Sequence, residues 1–528
     1  MRLGYVALTA SATTMGYSLL IAVAMMDFTG EEVLTQCLAV GPYLLGLGLG
    51  SVYGDHIPAD KKISRLWLLE WLSVTVLPIL PLIQLAAVFI FLQYTHPSVG
   101  LDQKTGLAFC LGIVGVLSFI AGILGGAQLP LILSSAQKLS TEVALAFNYI
   151  GALLAGAGIV FLIALNIPFG HQILIFGIIQ LSGLMLLLST FRKRTTGLAL
   201  MFIPLIILFG TAHLYPVVEH YTVKNSYHRT RVDHVSQLFR KNLYQVIKEF
   251  GELERVRTPY QTIDLFIEPP VPHLSIPGNA TLYLNRKPQI DILTTAIYHE
   301  SMVAAALNLF QGMPKKILIL GGGDGLLLKE LKHLTSTRIT QIELDPLMLQ
   351  FARDNNVISG LNENILSNMP KNMEVKIEDA ISYLRKNSKE QFDVVIIDLP
   401  FPNGPDLSRL YSLEFYKMVR RVLSPGAIVV IDLPLYFTEE RAFAQESKTI
   451  LKTLRSAGFR YPLPFGPLAS FVAVGMNETP LRFDYLRFPE ELSVSAASNL
   501  VDVFPDENLT EADWAKQNVN TMFWPKEL

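Results

Sequence analysis

Long uncharged apolar runs follow one another through the first 214 residues of this 528-residue chain. Each run is near or above the roughly 18 to 20 residues that a helix needs to cross about 30 Å of hydrocarbon. The first run is too long and too uniformly apolar for a signal peptide, and six similar runs follow it. The pattern predicts seven membrane-spanning helices, over residues 4–26, 33–53, 66–94, 106–133, 144–165, 172–190 and 197–214.

The third run has two features that set it apart. Pro78 and Pro81 lie within it, which makes it the run to suspect of being split or re-entrant. Glu70 lies one turn into it, and an ionisable side chain inside a membrane span is a functional hypothesis by default. The alternative interpretation places Glu70 near the membrane interface as a pair with Arg65, and the sequence leaves both open.

Beyond residue 214 the chain has the pattern of a soluble protein. Short alternating segments broken by Pro and Gly predict a small antiparallel β-domain, and a strand, glycine turn and helix from Lys316 open a doubly wound parallel sheet. We therefore expect a multi-pass α-helical membrane domain followed by a small antiparallel β-domain and an α/β doubly wound, Rossmann-like domain of the methyltransferase type. The expected parts are a transmembrane domain at 1–214, a linker with the small β-domain at 215–296, the nucleoside-binding catalytic domain at 297–478 and a C-terminal extension at 479–528.

Composition narrows the class of protein. An apolar share of 51% with 17% charged residues is unusual for a wholly soluble chain of this length. A formal net charge of -2 supplies no basic field, so we expect no nucleic-acid partner. Cys37 and Cys110 lie inside apolar runs away from other ligand residues, which excludes a disulfide scaffold and a thiolate zinc site and predicts two buried core residues.

Acidic residues stand at or just past three predicted strand ends, at Glu343, Asp379 and Asp398. The carboxyl ends of parallel strands form the edge at which open α/β sheets bind ligands. The glycine loop 321–325 precedes them; it contains Asp324 and lacks the Lys-Ser or Lys-Thr of a phosphate-gripping P-loop. An acid in this loop disfavours the pyrophosphate of NAD and suits a cationic nucleoside such as an S-adenosylmethionine-type molecule.

Several short motifs occur together in one order. They resemble those of the spermidine synthase (polyamine aminopropyltransferase) family, and in particular of its membrane-bound members with an N-terminal helical domain. The resemblance covers residues 259–475, and the order and spacing of the motifs make it specific. The matching residues are Tyr260-Gln261, Tyr298-His299-Glu300, the loop 321–325, Asp398 with Gly404-Pro405, and Glu414-Phe415-Tyr416.

The resemblance implies transfer of an aminopropyl group from decarboxylated S-adenosylmethionine to an amine, with release of methylthioadenosine and without a metal. Asp398 would be the catalytic residue, and Tyr298 and His299 would line the junction with the amine pocket. An aliphatic amine is protonated near neutral pH, and a carboxylate such as Asp398 can accept the proton that blocks its lone pair. The residues implied to bind the nucleoside, with Glu343 on the ribose and Asp379 near adenine, are Gln261, Gly321, Gly323, Asp324, Gly325, Glu343, Asp379 and Ala380.

The amine half of the site departs from the family pattern. Phe401 stands where the family has a second aspartate, at a position in the substrate pocket. The segment 463–466 reads Leu-Pro-Phe-Gly where the family has Tyr-Pro-Ser-Gly, and Tyr461 lies two residues early. A charge-assisted hydrogen bond contributes roughly 1.5 to 3 kcal/mol, so we expect an amine acceptor that is less charged, more apolar or larger.

Two other functions remain open from the residues alone. An S-adenosylmethionine-dependent methyltransferase would share the sheet, the glycine loop and the ribose acid. A non-catalytic transporter or sensor would use the soluble half only to bind a nucleoside or amine. The expected partners are a small-molecule amine and the lipid bilayer, and the family resemblance implies a homo-oligomer.

Membrane orientation brings two arguments into conflict. Basic residues follow the even-numbered runs, at Lys61, Lys62 and Arg65, at Lys138 and at 192–194. The positive-inside rule puts these ends in the cytoplasm, and seven crossings would then leave the tail outside. The nucleoside donor, however, is made in the cytosol, so either one run is split or re-entrant or the charge rule fails here. We therefore expect a multi-pass protein of the cell membrane whose catalytic domain is cytoplasmic, against the charge count.

Overall fold

A computed structural model describes residues 2–29, 32–94, 103–135, 140–188, 194–231, 251–268, 270, 278–400, 405–433, 445–466, 470–476, 479–484, 503 and 517–522. The chain divides into two compact units. The first comprises Met1–Gly278 with Asn285–Lys287, and the second comprises Asn279–Leu284 with Pro288–Leu528. The finer boundaries expected at 214, 296 and 478 stay predictions.

Long apolar helices make up most of the first unit. Within the described residues, seven are long and apolar enough to cross a membrane, as the sequence predicts. One of the seven is formed by α3 and α4 with a short 3₁₀ turn, Leu77–Ile79, between them. The helices are α1 Arg2–Thr29, α2 Glu32–Asp55, α3 Lys62–Val76, α4 Leu80–Tyr94, α5 Gln103–Ser135, α6 Thr141–Ala164, α7 Phe169–Leu188 and α8 Arg194–Arg231.

Two expectations for the helices need correction. The helix α8 continues to Arg231, whereas the apolar run predicts an end at residue 214. Its polar extension is stabilised by contacts within the same unit, where Glu219 forms ion pairs with Arg255 at 3.4 Å and with Arg257. Cys37 was expected in the core but is exposed on α2, whose outward face is apolar.

A small sheet follows the helices. Its strands are β1 Glu252–Arg257, β2 Thr262–Glu268, β3 Asn279–Leu284 and β4 Lys287–Asp291, in the order β1-β2-β3-β4. The strands β1 and β2 pair antiparallel, from Glu252 opposite Ile267 to Arg257 opposite Thr262. The turn between them contains Gln261, and Thr258 accepts hydrogen bonds from the main-chain N–H groups of Tyr260 and Gln261.

The second unit is built on a larger sheet, which has seven strands among the described residues. Their order is β10-β11-β9-β8-β5-β6-β7. The strands β5 to β9 pair in parallel, and β11 pairs antiparallel with both β9 and β10. The strands are β5 Lys316–Gly321, β6 Arg338–Glu343, β7 Met373–Ile377, β8 Phe392–Asp398, β9 Leu423–Asp432, β10 Leu463–Phe465 and β11 Phe471–Gly475.

Helices connect these strands and confirm the doubly wound fold. The chain runs outward from β5 to β7 and then returns to the other side of β5 as β8, so the strand order reverses between β5 and β8. Ligands bind at such a reversal, outside the carboxyl ends of the strands. The helices are α9 Thr295–Leu309, α10 Leu326–Leu331, α11 Pro346–Asp354, α12 Asn356–Leu361, α13 Ala380–Lys386, α14 Pro405–Ser408, α15 Leu413–Arg421 and α16 Gln445–Ser456.

Alternating side chains of the central strands supply a core on each face of this sheet. Leu318 and Leu320 of β5 join one buried cluster, and Ile317 and Ile319 join the other. This alternation follows from the two-residue period of a strand. Part of the C-terminal extension packs on the same unit, because the amide of Asn520 is buried and donates to the carbonyl oxygens of Ser408 and Tyr411.

Candidate active site

The glycine loop lies against the end of β8. Gly321, Gly322 and Gly325 have φ of 90°, 71° and 80°, in the left-handed region that favours glycine. A Cβ on Gly321 would lie 1.9 Å from the carbonyl oxygen of Asp398, and the N–H of Gly322 donates to that oxygen at 3.1 Å. Glycine at 321 therefore lets the loop approach the residue predicted to be catalytic.

Asp324 of this loop has two neighbours that fix its position. Its Oδ1 accepts a hydrogen bond from the N–H of Leu326 at 2.7 Å, at the start of α10. The side-chain amide of Asn362 donates to its carbonyl oxygen at 2.7 Å. Because one carboxylate oxygen is held by the helix N-terminus, the side chain is fixed with its charge at the strand ends.

Three predicted residues converge at this edge. Ligand atoms of His299, Asp324 and Asp398 all lie within 4.8 Å of one another, and Nε2 of His299 is 3.8 Å from Oδ2 of Asp398. His299 is buried, and Oδ2 of Asp398 is buried without a hydrogen-bond partner among the described residues. One imidazole and two carboxylates could hold a divalent metal ion, and they equally suit an organic cation.

Burial sets the electrostatics of Asp398. It raises the pKa of this carboxyl well above the usual range, and the negative charges of Asp324, Asp432 and Glu343 raise the pKa further. Like charges at short range disfavour ionisation of each carboxyl. A positively charged ligand at this edge would relieve this repulsion.

Asp432 is a further acid of this edge that the sequence analysis missed. It ends β9, the parallel neighbour of β8, and lies opposite Phe471 of β11. It accepts a hydrogen bond from the hydroxyl of Tyr298, its Oδ1 is buried without a partner among the described residues, and burial raises its pKa. The available signal was an apolar run ending in an acid, the same pattern that identifies Asp398.

Aromatic rings fix the remaining predicted side chains of the junction. Tyr298 packs on Phe471 with ring centroids 4.6 Å apart and meets the edge of the His299 ring at 5.3 Å. The hydroxyl of Tyr411, another residue missed by sequence reasoning, donates to the carbonyl oxygens of Leu399 and Pro400. Tyr411 therefore holds the segment directly after Asp398.

Glu343 lies at the end of β6, next to the glycine loop. Its Oε1 accepts the N–H of Asp345 at 2.8 Å, and a Cβ on Gly323 would lie 2.9 Å from its Oε2. Burial raises the pKa of Glu343 to about 7, with smaller contributions from the charges of Asp345 and Asp324. A cationic or hydroxyl-bearing ligand at the loop would therefore meet a carboxyl that ionises near neutral pH.

The other predicted nucleoside residues are placed as follows. Residue 378 donates its N–H to the carbonyl oxygen of Glu343, which puts Asp379 beside the end of β6. Asp379 caps α13, because its Oδ1 accepts a 2.8 Å hydrogen bond from the N–H of Ser382. Its Oδ2 lies 4.0 Å from a guanidinium nitrogen of Arg409. Ala380 is buried in the first turn of that helix.

For two predicted residues the described structure does not test the assigned role. Gln261 belongs to the first compact unit, where it lines a cavity of about 200 Å³ with Arg257, Tyr260 and Asn166. Phe401 lies outside the described residues. Their assignment to the nucleoside and the amine therefore stays a prediction.

Comparison with known proteins identifies the family. Residues 295–464 match the family model of the spermine/spermidine synthase domain. Polyamine aminopropyltransferase 2 of Aquifex aeolicus is 29% identical over 476 residues, which cover 88% of this chain and 85% of the relative. The polyamine aminopropyltransferase of Sulfurisphaera tokodaii is 36% identical over 231 residues, 43% of this chain and 72% of the relative. The chain belongs to the polyamine aminopropyltransferase family.

Membership confirms the predicted family. It also confirms the prediction that the chain is a transferase. Among solved structures, spermidine synthase from Thermotoga maritima matches with a TM-score of 0.37 and 22% identity, covering 48% of this chain and 83% of that one. The match to the Aquifex relative covers 88% of the present chain, so it includes part of the apolar helical region of this chain.

Proposed function

We propose that the chain is a membrane-bound aminopropyltransferase that uses decarboxylated S-adenosylmethionine as donor and a small amine as acceptor, with Asp398 as general base. One observation carries the proposal. Four acids, Asp324, Glu343, Asp398 and Asp432, meet at the carboxyl edge of the sheet, and Asp398 has a buried oxygen without a partner among the described residues. Such an edge is suited to a sulfonium donor and an ammonium acceptor.

The chemical step balances with the groups that this edge supplies. The acceptor nitrogen gives one proton to Asp398 and attacks the methylene carbon next to the sulfonium. A C–N bond forms as the C–S bond breaks, and its electron pair goes to sulfur, which leaves as the neutral thioether methylthioadenosine. The raised pKa of Asp398 makes its carboxylate a stronger base than an exposed aspartate. This pKa is closer to the pKa of the amine that Asp398 deprotonates.

The positions of the other groups support assigned roles. Glu343, beside the glycine loop, would accept hydrogen bonds from the ribose hydroxyls, and Asp379 would lie near adenine. His299 lies 3.8 Å from Asp398, and Tyr298 donates a hydrogen bond to Asp432. These two residues would hold the two carboxylates in place. No step requires a metal.

The acceptor proposed here is more apolar than a short diamine. Leu463 and Phe465, in the segment where the family has Tyr-Pro-Ser-Gly, form the buried strand β10. Phe465 packs on Phe471 and Phe483, each with ring centroids 5.3 Å apart. This segment therefore packs its apolar side chains into the core and supplies no hydroxyl where the family has a tyrosine and a serine, which favours an amine with fewer polar groups.

The helices support a membrane location. Seven apolar helices would form a multi-pass domain in the cell membrane, with the catalytic unit in the cytoplasm where the donor is made. One crossing suffices for an anchor, so seven favour a further role for the membrane domain.

Product analysis tests the reaction. The full chain, purified in detergent, is incubated with decarboxylated S-adenosylmethionine or S-adenosylmethionine and a panel of amines, and the released nucleoside is weighed by mass spectrometry. We expect methylthioadenosine from the decarboxylated donor. Release of S-adenosylhomocysteine instead would show a methyltransferase, and donor binding without turnover would support the transporter or sensor alternative.

Asp398→Asn tests the base. General-base catalysis contributes about 10²- to 10⁴-fold, so we expect kcat to fall by at least 100-fold while the protein stays folded. Asp354→Asn removes an exposed carboxylate on α11 and is the matched control, with unchanged turnover expected. Equal rates for the two variants would remove Asp398 from the mechanism.

A further inference from the structure

Glu70 is fully buried among the apolar helices of the first unit. Arg65, its partner in the interface interpretation, is exposed, and Glu70 instead accepts a hydrogen bond from Nε2 of Gln180 on α7 at 3.3 Å. Among the described residues Glu70 makes no ion pair with Lys, Arg or His. An ionised carboxylate in such surroundings is costly unless a cation compensates it.

Other amide side chains extend this polar site. Ser73 lies one turn after Glu70 on the same face of α3, and its hydroxyl accepts a hydrogen bond from Nε2 of Gln128 on α5 at 2.8 Å. Glu70, Ser73, Gln128 and Gln180 are all fully buried. Three helices, α3, α5 and α7, thus contribute polar side chains to one region of the bundle interior, because α3 packs against both of the others.

Three acceptor oxygens of this site are unused in the described structure. Oε1 of Glu70, Oε1 of Gln128 and Oε1 of Gln180 are buried without a hydrogen-bond partner in the described structure. The amide nitrogens of both glutamines already donate within the site. The site thus offers one negative charge and three acceptor oxygens, and an ammonium group carries one positive charge and three N–H donors.

We infer that the helical bundle contains a binding site for a protonated primary amine, with Glu70 as the counter-ion and Gln128 and Gln180 as acceptors. This inference goes beyond the proposed transfer reaction, and does not depend on it. It gives the membrane domain a ligand of its own, at a place in the fold separate from the acids of the sheet edge.

Tryptophan fluorescence reads out this site directly. Trp67 lies one turn before Glu70 on α3, and Trp71 directly follows Glu70. The four tryptophans of the chain are reduced to these two by W514F and W524F. The full-length protein in lipid nanodiscs is titrated with n-butylammonium, with tetramethylammonium, which has the same charge but no N–H donor, and with Na⁺.

We expect a saturable fluorescence change with n-butylammonium and at least tenfold weaker responses to tetramethylammonium and Na⁺. Glu70→Gln should weaken n-butylammonium binding at least tenfold, and so should Gln180→Met, which removes one acceptor together with the N–H donor to Glu70 and keeps the carboxylate. Glu142→Gln, at an exposed acid of α6, is the matched control and should bind as the parent does.

Each alternative occupant has its own outcome. Equal responses to all three cations, or a preference for Na⁺, would overturn the ammonium assignment. Retained n-butylammonium affinity in Glu70→Gln would overturn the role of Glu70, and Gln180→Met decides the question if Glu70→Gln does not fold. The fluorescence response should persist in Asp398→Asn, which separates this site from the sheet edge and its failure from failure of the transfer reaction.

Discussion

At the scale of single residues, burial of the carboxyl group of Glu343 makes the stability of the folded protein depend on pH. Glu343 is held in the folded protein with a pKa of about 7, against 4.5 for an unperturbed glutamate. The folded protein therefore holds this proton more tightly than the unfolded chain. The proton on Glu343 therefore stabilises the folded state. This contribution is fully present below about pH 4.5 and is lost as the pH rises to about 7.

Glu343→Gln should reverse this loss. At 1.36 kcal/mol per pKa step, the difference corresponds to about 3 kcal/mol at pH 8. We expect the variant to be more stable than the parent by up to this amount at pH 8, to show no advantage at pH 4.5, and to lose donor binding. Denaturant unfolding of the full chain across this pH range measures it. Glu363→Gln, at an exposed acid, should show no such gain, and a pH-independent gain for Glu343→Gln would contradict the argument.

At the scale of elements, the turn from β5 into α10 depends on contact as well as on conformation. Gly321 and Gly312 both have positive φ, of 90° and 103°. A Cβ on Gly312 would meet no atom within 4 Å, whereas one on Gly321 would collide with the main chain of Asp398. The two glycines therefore separate conformational strain from steric contact.

Gly312→Ala should cost about 1 to 2 kcal/mol, the strain of a side chain in the left-handed region. Gly321→Ala should cost more, and should lower kcat in the folded fraction because the carbonyl of Asp398 has to move. Unfolding free energies and turnover of the two variants measure this difference. Equal destabilisation with unchanged turnover would show that the loop does not need its contact with β8.

Local pattern made much of the second unit predictable. An apolar strand ending in glycine or an acid identified Gly321, Glu343 and Asp398. Asp432 has the same signal but lies outside the quoted motifs. The hydrogen bond from Tyr298 to Asp432 joins residues far apart in sequence, and those from Tyr411 reach 11 and 12 residues back across a helix start, so no strand or helix period encodes them. The extension of α8 was missed because Glu219 looks like the end of an apolar run until its arginine partners are known.

At the scale of the whole molecule, seven crossings by the candidate spans of the described residues would put the two ends of the helical region on opposite sides of a membrane. Residue 2 begins α1, and α8 ends after the seventh candidate span. Residue 2 and Arg231 would therefore lie on opposite sides of the membrane. The charge count and the location of the donor make opposite predictions for this arrangement.

Reporter fusions to the full chain decide between them. We expect green fluorescent protein fused after Leu528 to fluoresce, and alkaline phosphatase fused there to be inactive, because the proposed catalytic unit is cytoplasmic. The same reporters before Met1 should give the reverse pattern. An active phosphatase at the C-terminus would place the catalytic unit outside, and would require an external supply of donor.

The length of α8 has a mechanical consequence. Its 38 residues span about 57 Å at 1.5 Å per residue, well beyond the roughly 30 Å of a hydrocarbon core. The C-terminal part of α8 contacts the β1–β2 hairpin in two places. Glu219 forms an ion pair with Arg255, and the hydroxyl of Tyr227 donates a hydrogen bond to Asp264 at 2.6 Å. Because these contacts join the helix to the hairpin, a tilt of the helix in response to bilayer thickness would move the hairpin and Gln261 together.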